Sequence, residues 1–102
     1  MTAAPSPPSI RDAVDAARQK VGDDPTRAVV RLRTEARMEE GTRVDIRAGT
    51  FEFAADEPVS VGGTGTAANP VQMALAALGS CQAITYRYWA EELGLRLDGV
   101  TV

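Results

Sequence analysis

The segment from Asn69 to Gly94 constrains the fold more than any other, because it carries signals for both ends of one long helix. Asn69 is a good N-cap, since its side-chain oxygen can accept a hydrogen bond from a backbone N–H that has no partner inside the helix. Pro70 suits the first helical position, where its missing N–H is not needed. Gly94 can adopt the left-handed conformation that ends a helix. We therefore predict a single helix about 36 Å long, at a rise of about 1.5 Å per residue.

The only cysteine of the chain, Cys81, lies on the apolar face of this predicted helix. Steps of three and four residues from Cys81 identify the other members of that face, which are Met73, Ala74, Ala77, Leu78, Ile84, Thr85, Tyr88 and Trp89. A free cysteine often acts as a small buried hydrophobe, so core packing is one interpretation of this position. A reactive thiol is the other interpretation, and the helix alone does not separate the two.

The N-terminal part of the chain predicts a tail followed by a short helix. Residues 1–8 are rich in proline and serine, which predicts a disordered tail. Residues 9–102 are expected to form a single domain, because a chain of 102 residues is near the size at which one core becomes adequate. Ser9 can cap an amphipathic helix over Ile10 to Val21, closed by the Gly-Asp-Asp-Pro that follows. We interpret this helix as laid on a sheet; a partner-binding arm is the alternative.

An alternation of apolar and polar residues then predicts antiparallel strands. The predicted strands run from Val30 to Met38 and from Val44 to Ala48, with a turn between them. Phe51 and Phe53 continue the alternation with the opposite parity, so one extra residue has to be absorbed if all these side chains share a face. A bulge at Gly49 and a tight turn at Ala48-Gly49 both remain open. The arginines of these strands are expected on the solvated face.

Two later motifs suggest chemistry that their context does not support. Asp56 and Glu57 are adjacent, so in an extended chain their carboxylates point to opposite faces, and a turn at Asp56-Glu57-Pro58 is the better interpretation. The segment Gly62–Ala68 fits G-x-G-x-x-A, but a nucleotide fingerprint needs a strand directly before it and a helix opening within it. Pro58 interrupts that approach, so we predict a flexible loop that leads into the helix.

Composition excludes several classes of function. The net charge of −3 gives no electrostatic reason to bind nucleic acid. No apolar run approaches the ~20 residues of a membrane span, and the N-terminus lacks the features of a secretory signal. A single cysteine excludes an internal disulfide, and the absence of histidine argues against zinc or haem. We expect no metal, no cofactor and a reducing, cytoplasmic location.

Five short motifs occur in one order along the chain: DEP, GG, NPV, ALGSC and ITYR, at Asp56–Pro58, Gly62–Gly63, Asn69–Val71, Ala77–Cys81 and Ile84–Arg87. This ordered set resembles the OsmC/Ohr family, and most closely its OsmC-like branch, over roughly Val44 to Val102. The resemblance implies an α+β fold in which N-terminal antiparallel strands pack on a long central helix that carries the cysteine. It also implies an intertwined homodimer that reduces organic hydroperoxides in oxidative stress, with Cys81 as the attacking thiol.

A peroxidase needs a cation beside this thiol. An ordinary cysteine offers only a few per cent of thiolate near pH 7, and a positive charge within about 4–6 Å favours that form. The chain has no histidine and one lysine, so an arginine has to serve. The resemblance implies an arginine from the N-terminal strands, held by a glutamate just after the Asn-Pro. Arg37 is our predicted partner and Arg47 the alternative. Val71 stands where that glutamate is expected, which leaves Gln72 to offer a weaker, neutral hydrogen bond.

The family's second cysteine is also missing, so an oxidised Cys81 would need an external thiol as reductant. Three hypotheses remain open: a one-cysteine hydroperoxide reductase, a binding module for an apolar, lipid-like ligand, and a structural dimer in which Cys81 only packs. Met73, Leu78 and Tyr88 are the predicted substrate-binding residues of the reductase. In the binding module the apolar pocket is formed by Met73, Leu78, Ile84, Tyr88 and Trp89.

The chain ends on Leu95–Val102, which reads as the start of another alternating strand. Family members continue with more strands and a second helix, so we expect either a half-length relative or a fragment. Either would leave an apolar helix face and a strand edge uncovered, which predicts an obligate homodimer with the Cys81 helices near the interface.

Overall fold

The computed structural model describes residues 6–102, so the first five residues of the predicted disordered tail, residues 1–8, lie outside the described residues. Residues 6–8 are exposed and have no regular structure. The fold is α+β, as the sequence predicts, with three antiparallel strands between a short and a long helix. In chain order the elements are α1 (Ile10–Asp23), a 3₁₀ turn (Pro25–Ala28), β1 (Thr34–Met38), β2 (Val44–Ala48), β3 (Phe51–Ala55), a second 3₁₀ turn (Val59–Val61) and α2 (Pro70–Leu93).

The described chain divides into two compact units. One unit is Arg31–Ser80, which holds the sheet, the loop after it and the first half of α2. The other consists of residues 6–30 with Cys81–Val102, and holds α1 and the second half of α2. The boundary therefore falls inside α2, between Ser80 and Cys81.

The three strands form a sheet in the order β1-β2-β3, and a tight turn sets the register of its second hairpin. Ala48 pairs with Phe51 and Ile46 pairs with Phe53, so only Gly49 and Thr50 lie between the strands. Gly49 has φ of +60° and Thr50 does not have positive φ, which is the pattern of a two-residue turn with glycine first. A tight turn at Gly49-Thr50, one residue later than the predicted alternative at Ala48-Gly49, takes the place of a bulge and keeps the apolar side chains on one face.

Two strands differ from the prediction. β1 begins at Thr34 and not at Val30, because Thr34 pairs with the last residue of β2, Ala48, and the chain turns immediately after it. Residues 30–33 therefore have no partner in the sheet. The predicted strand over Leu95–Val102 is also wrong, since these residues have no regular structure.

α2 begins and ends at the predicted residues, and both ends are fixed by hydrogen bonds. At its start Asn69 Oδ1 accepts from the N–H of Gln72 at 2.8 Å, and Gln72 Oε1 accepts from the N–H of Asn69 at 3.0 Å. This reciprocal pair is a capping box. At its end the N–H of Leu95 donates to the carbonyl of Ala90 at 2.8 Å, and that of Gly94 to the carbonyl of Glu91 at 3.3 Å. Gly94 has φ of +67°, which completes a Schellman motif.

α1 has the predicted N-cap and runs slightly further than predicted. Ser9 Oγ accepts from the N–H of Asp12 at 3.1 Å, and the helix continues to Asp23. Within its own unit α1 contacts the C-terminal part of α2. Arg11 Nη2 donates to the carbonyl of Glu92 at 3.1 Å, and Arg18 Nη1 lies 3.3 Å from Glu92 Oε1.

Few apolar side chains are buried. Within residues 6–102 only Ala55 and Ala90 are buried apolar residues, while Met38 and Phe51 on the apolar face of the sheet are 77% and 74% exposed. Burial of apolar surface is the main driving force for folding. The local structure therefore depends to an unusual degree on hydrogen bonds within secondary structure and on helix caps. No helix within residues 6–102 has the length and apolar character that would be needed to cross a membrane.

We expect alanine substitutions of two glycines near helix ends, Gly94 and Gly22, to have different effects on stability. Gly94→Ala places a Cβ on a residue with φ of +67°, so it should lower the free energy of unfolding by about 1 kcal/mol. Gly22→Ala is the matched control, because a Cβ there meets no atom within 4 Å and the residue is helical. It should leave stability unchanged or raise it by up to about 1 kcal/mol. Urea unfolding followed by circular dichroism measures both, and equal effects would contradict the assignment of the C-terminal motif.

Candidate functional site

Cys81 is a free and exposed cysteine near the middle of α2. Hydrogen bonds fix both ends of α2, at Asn69 and at Gly94. The position of Cys81 along the helix axis follows from these two ends. The helix dipole acts mainly in the first and last turns, and it gives a thiol in the middle little help. Any stabilisation of a thiolate at this position therefore has to come from a neighbouring positive charge.

The hydroxyl groups near Cys81 donate hydrogen bonds to backbone carbonyls of α2 itself. Ser80 Oγ donates to the carbonyl of Ala77 at 3.1 Å, and Thr85 Oγ1 donates to the carbonyl of Cys81 at 2.8 Å. Neither hydroxyl is directed at the sulfur by these bonds. Within residues 6–30 and 81–102 no side chain donates a hydrogen bond to Cys81 Sγ. The thiol therefore sits on an exposed apolar helix face without a polar partner in its own unit.

The predicted binding residues occupy two different environments. Met73 is half-buried and Leu78 is exposed, both on the first half of α2. Tyr88 lines a groove of about 170 Å³ that α1 and the second half of α2 form together within their unit. The groove has an apolar floor and a rim of two arginines and two glutamates; its residues are Ile10, Arg11, Val14, Arg18, Tyr88, Trp89, Glu91 and Glu92. Of the three predicted residues, only Tyr88 belongs to this groove.

The candidate arginines lie on the charged face of the sheet, each beside a carboxylate. Arg37 on β1 is 84% exposed, and its Nε lies 3.8 Å from Glu39 Oε1. Arg47 on β2 donates from Nη2 to Glu52 Oε1 at 3.0 Å. Both arginines line an open groove of about 570 Å³ on this face. Arg37 has the looser contact, so it is the freer of the two to exchange its partner, and its pairing with Cys81 stays a prediction.

Gln72 has a different role from the one suggested by the sequence. Its Oε1 accepts from the N–H of Asn69 in the capping box, so this side chain is held at the start of the helix. Val71, in the position where the family pattern has a glutamate, is 67% exposed. The start of α2 thus offers no carboxylate to orient an arginine, and the glutamine amide is committed to the helix cap.

The most buried polar residue, Asp56, was not among the predicted site residues. It is 1% exposed and follows the last residue of β3. Its Oδ1 accepts from Thr42 Oγ1 at 2.6 Å and from the N–H of Glu57 at 2.8 Å. Its Oδ2 accepts from the hydroxyl of Thr64, from the N–H of Thr64 at 3.2 Å, and from Thr66 Oγ1 and N–H at 2.9 and 3.3 Å. One carboxylate therefore joins the β1–β2 turn, the end of β3 and the loop before α2.

These bonds lower the pKa of Asp56. Hydrogen bonds from the Thr42 and Thr64 hydroxyls stabilise the charged carboxylate most, and together with the backbone N–H groups of Glu57 and Thr66 they hold its pKa well below the usual range. Burial acts in the opposite direction but is outweighed. Asp56 is thus an ionised structural centre and not a proton donor. One sequence signal could have indicated this centre: an aspartate directly follows a strand, and two threonines flank Gly65 shortly after it.

The loop Gly62–Ala68 uses its own N–H groups internally. Gly63 donates to the carbonyl of Pro58 and Gly65 to the carbonyl of Glu57, each at 3.0 Å, while Thr64 and Thr66 donate to Asp56. A Cβ on Gly63 would overlap the Glu57 carbonyl oxygen, which shows how closely the loop backbone approaches this segment. A phosphate-binding loop needs free N–H groups directed at the ligand. The loop is therefore a structural connection, in agreement with the rejection of the nucleotide fingerprint.

Comparison with known families finds a match in the C-terminal part of the chain. Residues 63–102 match the family model of OsmC-like proteins, which confirms the resemblance over these residues. The match includes all of α2 and Cys81, whereas Arg37, Arg47 and Asp56 precede it. No curated protein and no solved structure matches the chain. Among residues 6–102 no three acidic, cysteine or histidine side chains converge as metal ligands.

The lowered pKa of Asp56 predicts a stability that depends on pH. Because the folded state binds this proton more weakly than the unfolded chain, the contribution of Asp56 is complete above the unfolded value of about 3.9 and is lost as pH falls below it. Wild-type protein should therefore lose stability on acidification from about pH 5 to pH 3. Asp56→Asn should be less stable at pH 7 and should show a shallower loss over that range.

Asp98→Asn is the control for this measurement. Asp98 is 77% exposed, and within residues 6–102 its one ionic partner is Arg96, at 2.8 Å. Its replacement should leave both the stability at pH 7 and the acid slope close to wild type. Urea unfolding at each pH provides the comparison, and an Asp56→Asn variant with an unchanged acid slope would contradict the proposed role of the carboxylate.

Proposed function

We propose that this chain, whose residues 63–102 are OsmC-like, reduces organic hydroperoxides through Cys81. The observation that carries the proposal is the position of the only cysteine, exposed on the apolar face of a helix that lies wholly inside the matched segment. An apolar surface around the thiol favours a peroxide with a hydrocarbon group over hydrogen peroxide. The function belongs to oxidative stress defence.

In the first step the Cys81 thiolate attacks one oxygen of the peroxide bond. The O–O bond breaks, the sulfur is oxidised to a sulfenic acid, and the leaving alkoxide takes a proton to become an alcohol. An external thiol then condenses with the sulfenic acid, which releases water and forms a mixed disulfide. A second external thiol attacks that disulfide, so the cysteine is restored and the reductant leaves as its own disulfide.

An arginine supplies the positive charge that this chemistry requires. Arg37 is our candidate, since its only ionic contact within Arg31–Ser80 is the 3.8 Å approach to Glu39. A guanidinium beside the sulfur favours the thiolate and stabilises the charge that develops on the leaving oxygen. Because Val71 and the engaged Gln72 provide no carboxylate at the start of α2, the orientation of this arginine depends on residues outside the family pattern.

We further propose that the chain acts as a homodimer. Large apolar side chains are exposed on the face of α2 that carries Cys81, among them Leu78, Ile84 and Tyr88. Exposed apolar surface of this extent is a feature of protein interfaces. A dimer would cover part of it and would exclude water from the neighbourhood of the thiol.

A binding module for an apolar, lipid-like ligand is the second candidate. The groove that contains Tyr88 and Trp89 supports it, because an apolar floor with a charged rim suits an amphipathic molecule. In this function Cys81 would be structural. A ligand that copurifies with the protein, and a thiol that does not consume peroxide, would favour the binding module over the peroxidase.

Replacement of the thiol tests the leading function. Wild-type protein should consume about one equivalent of cumene hydroperoxide per Cys81 without added reductant, and the product should react with dimedone as a sulfenic acid. Cys81→Ser should abolish both reactions, since serine is not oxidised in this way. Ser80→Ala is the matched control, because it removes the neighbouring hydroxyl and leaves the sulfur. Peroxide consumption that survives in Cys81→Ser would contradict the proposal.

Replacement of each arginine tests the cation. Arg37→Gln should lower the rate of reaction with cumene hydroperoxide about tenfold or more, equivalent to at least ~1.4 kcal/mol of transition-state stabilisation, and should move the pH–rate profile to higher pH. Arg47→Gln, which removes the partner of Glu52 on the same sheet face, should change neither. A loss confined to Arg47→Gln would assign the role to Arg47, and unchanged rates in both variants would exclude the sheet arginines.

A further inference from the structure

Helix α1 is held on α2 by polar contacts that converge on one residue, Glu92. Arg11 Nη2 donates to the carbonyl of Glu92 at 3.1 Å, and Arg18 Nη1 donates to its carboxylate at 3.3 Å. Within residues 6–30 and 81–102, no other hydrogen bond or ion pair joins the two helices. A single residue of α2 therefore carries the polar part of this contact.

The apolar part of the contact is incomplete. No residue of α1 is buried, and Ile10 and Val14 are half-buried where they line the groove. On the other side of the groove, Tyr88 and Trp89 remain 49% and 60% exposed. The groove keeps a volume of about 170 Å³, whereas well-packed helices leave few voids larger than a water molecule. α1 is therefore docked on α2 without being closely packed against it.

Release of α1 leaves Arg18 with another ionic partner. Arg18 Nη1 also lies 3.7 Å from Asp15 Oδ1, one turn earlier on the same helix. The pair with Glu92 is open to solvent, since 62% of the Arg18 side chain and 37% of the Glu92 side chain are exposed. Exposed ion pairs of this kind contribute little to stability. The docked and released states of α1 are therefore close in free energy.

The contacts at the C-terminal end of α1 are local. Asp24 Oδ1 accepts from the hydroxyl and the N–H of Thr26 at 2.7 and 3.2 Å, and Arg27 Nε lies 3.7 Å from Asp24 Oδ2. These bonds begin the 3₁₀ turn and do not hold α1 on α2. Isolated helices shorter than about 12–15 residues are marginal in water. Since α1 has 14 residues, we expect it to lose its helical structure when it is released.

α1 docks on the helix face that carries Cys81. Cys81, Thr85, Tyr88 and Glu92 are spaced by four, three and four residues, so they share one face of α2. Tyr88 lies about 10.5 Å from Cys81 along the helix axis, at a rise of about 1.5 Å per residue. Docked α1 therefore covers part of the C-terminal end of the face on which the thiol lies.

We propose that α1 is a releasable strap, held by Glu92, that closes over the C-terminal end of the Cys81 face and uncovers Tyr88 and Trp89 when it detaches and unfolds. Release extends the apolar surface that is available to a ligand on this face. The strap depends on contacts between α1 and α2 and not on the chemistry of the thiol. Its tests measure the docking of α1, so their failure and the failure of peroxide reduction are distinguishable.

Cleavage at the only lysine of the chain tests the role of Glu92. Lys20 lies in the last turn of α1, so a lysine-specific protease cuts the full chain at one bond, and it cuts most readily when the strap is released and unfolded. Glu92→Gln breaks the ion pair with Arg18. It should raise the cleavage rate about threefold, because the rate follows the population of the released state.

Glu91→Gln is the matched control for this measurement. It removes the same charge from the preceding residue, which has no ion pair within residues 6–30 and 81–102. Its cleavage rate should stay close to that of the wild type. A rate in Glu92→Gln that is no higher than in Glu91→Gln would overturn the proposal.

Salt and a second variant test the same ion pair. The ratio of the cleavage rate of Glu92→Gln to that of the wild type should fall toward one when NaCl is raised from about 0.05 to 0.5 M, because screening weakens exposed ion pairs. Arg18→Gln should raise the rate to a similar extent, and the double variant should add nothing further. A ratio that does not change with salt, or additive effects of the two substitutions, would contradict the strap.

The only tryptophan of the chain reports on the α2 side of the contact. Trp89 lines the groove beside α1, so release should shift its fluorescence emission to longer wavelength and increase its quenching by acrylamide. Both changes are expected in Glu92→Gln and not in Glu91→Gln. Faster cleavage at Lys20 with unchanged Trp89 emission and quenching would indicate fraying of α1 alone and would overturn the proposal.

Discussion

The constraint on which the rest of this structure depends is the small amount of apolar surface that the described chain buries. Within residues 6–102 only Ala55 and Ala90 are buried apolar residues, although this part of the chain carries a sheet with one apolar face and a long helix with an apolar stripe. In folded proteins such apolar faces are normally packed against another element. The exposed face around Cys81 is therefore the surface on which the proposed function concentrates.

Polar interactions supply the local order that the apolar core does not. In Arg31–Ser80 the carboxylate of Asp56 gathers donors from the β1–β2 turn and from the loop before α2. Asp56 also donates its N–H to Ala68, the residue before the helix cap. The start of α2 is thus tied to the end of β3 by hydrogen bonds. A buried network of this kind specifies a geometry only if every member has a partner, and within the described residues no buried side-chain polar atom lacks one.

The sequence predicted most reliably those features that are fixed by neighbouring residues. Both ends of α2 and the cap of α1 followed from Asn69, Gly94 and Ser9, because capping depends on bonds within a few positions of the chain. The register of β2 and β3 was limited to two alternatives by the parity of Phe51 and Phe53, and the conformation of Gly49 selected one. Alternation alone overestimated β1 and the C-terminal strand, because a strand also needs a partner, which residues 30–33 and 95–102 do not have in the sheet.

The candidate site was predicted only in part, for a related reason. Cys81 could be found because it is unique and lies within a recognisable motif. Asp56 was missed because the two threonines around Gly65 are a weak signal by themselves, and Thr42 is brought to the same carboxylate only by the fold of the hairpin. The identity of the arginine that serves Cys81 depends in the same way on contacts between distant parts of the chain, which local patterns do not encode.

The most direct test of this account is the dependence of thermal unfolding on protein concentration. Since the described chain buries so few apolar residues by itself, we predict that association stabilises the folded state and that Tm rises steadily when the concentration is increased from about 1 to 100 μM. Sedimentation at the same concentrations should show dimer replacing monomer. A cooperative transition whose Tm is the same at every concentration, in a protein that sediments as a monomer throughout, would contradict the account.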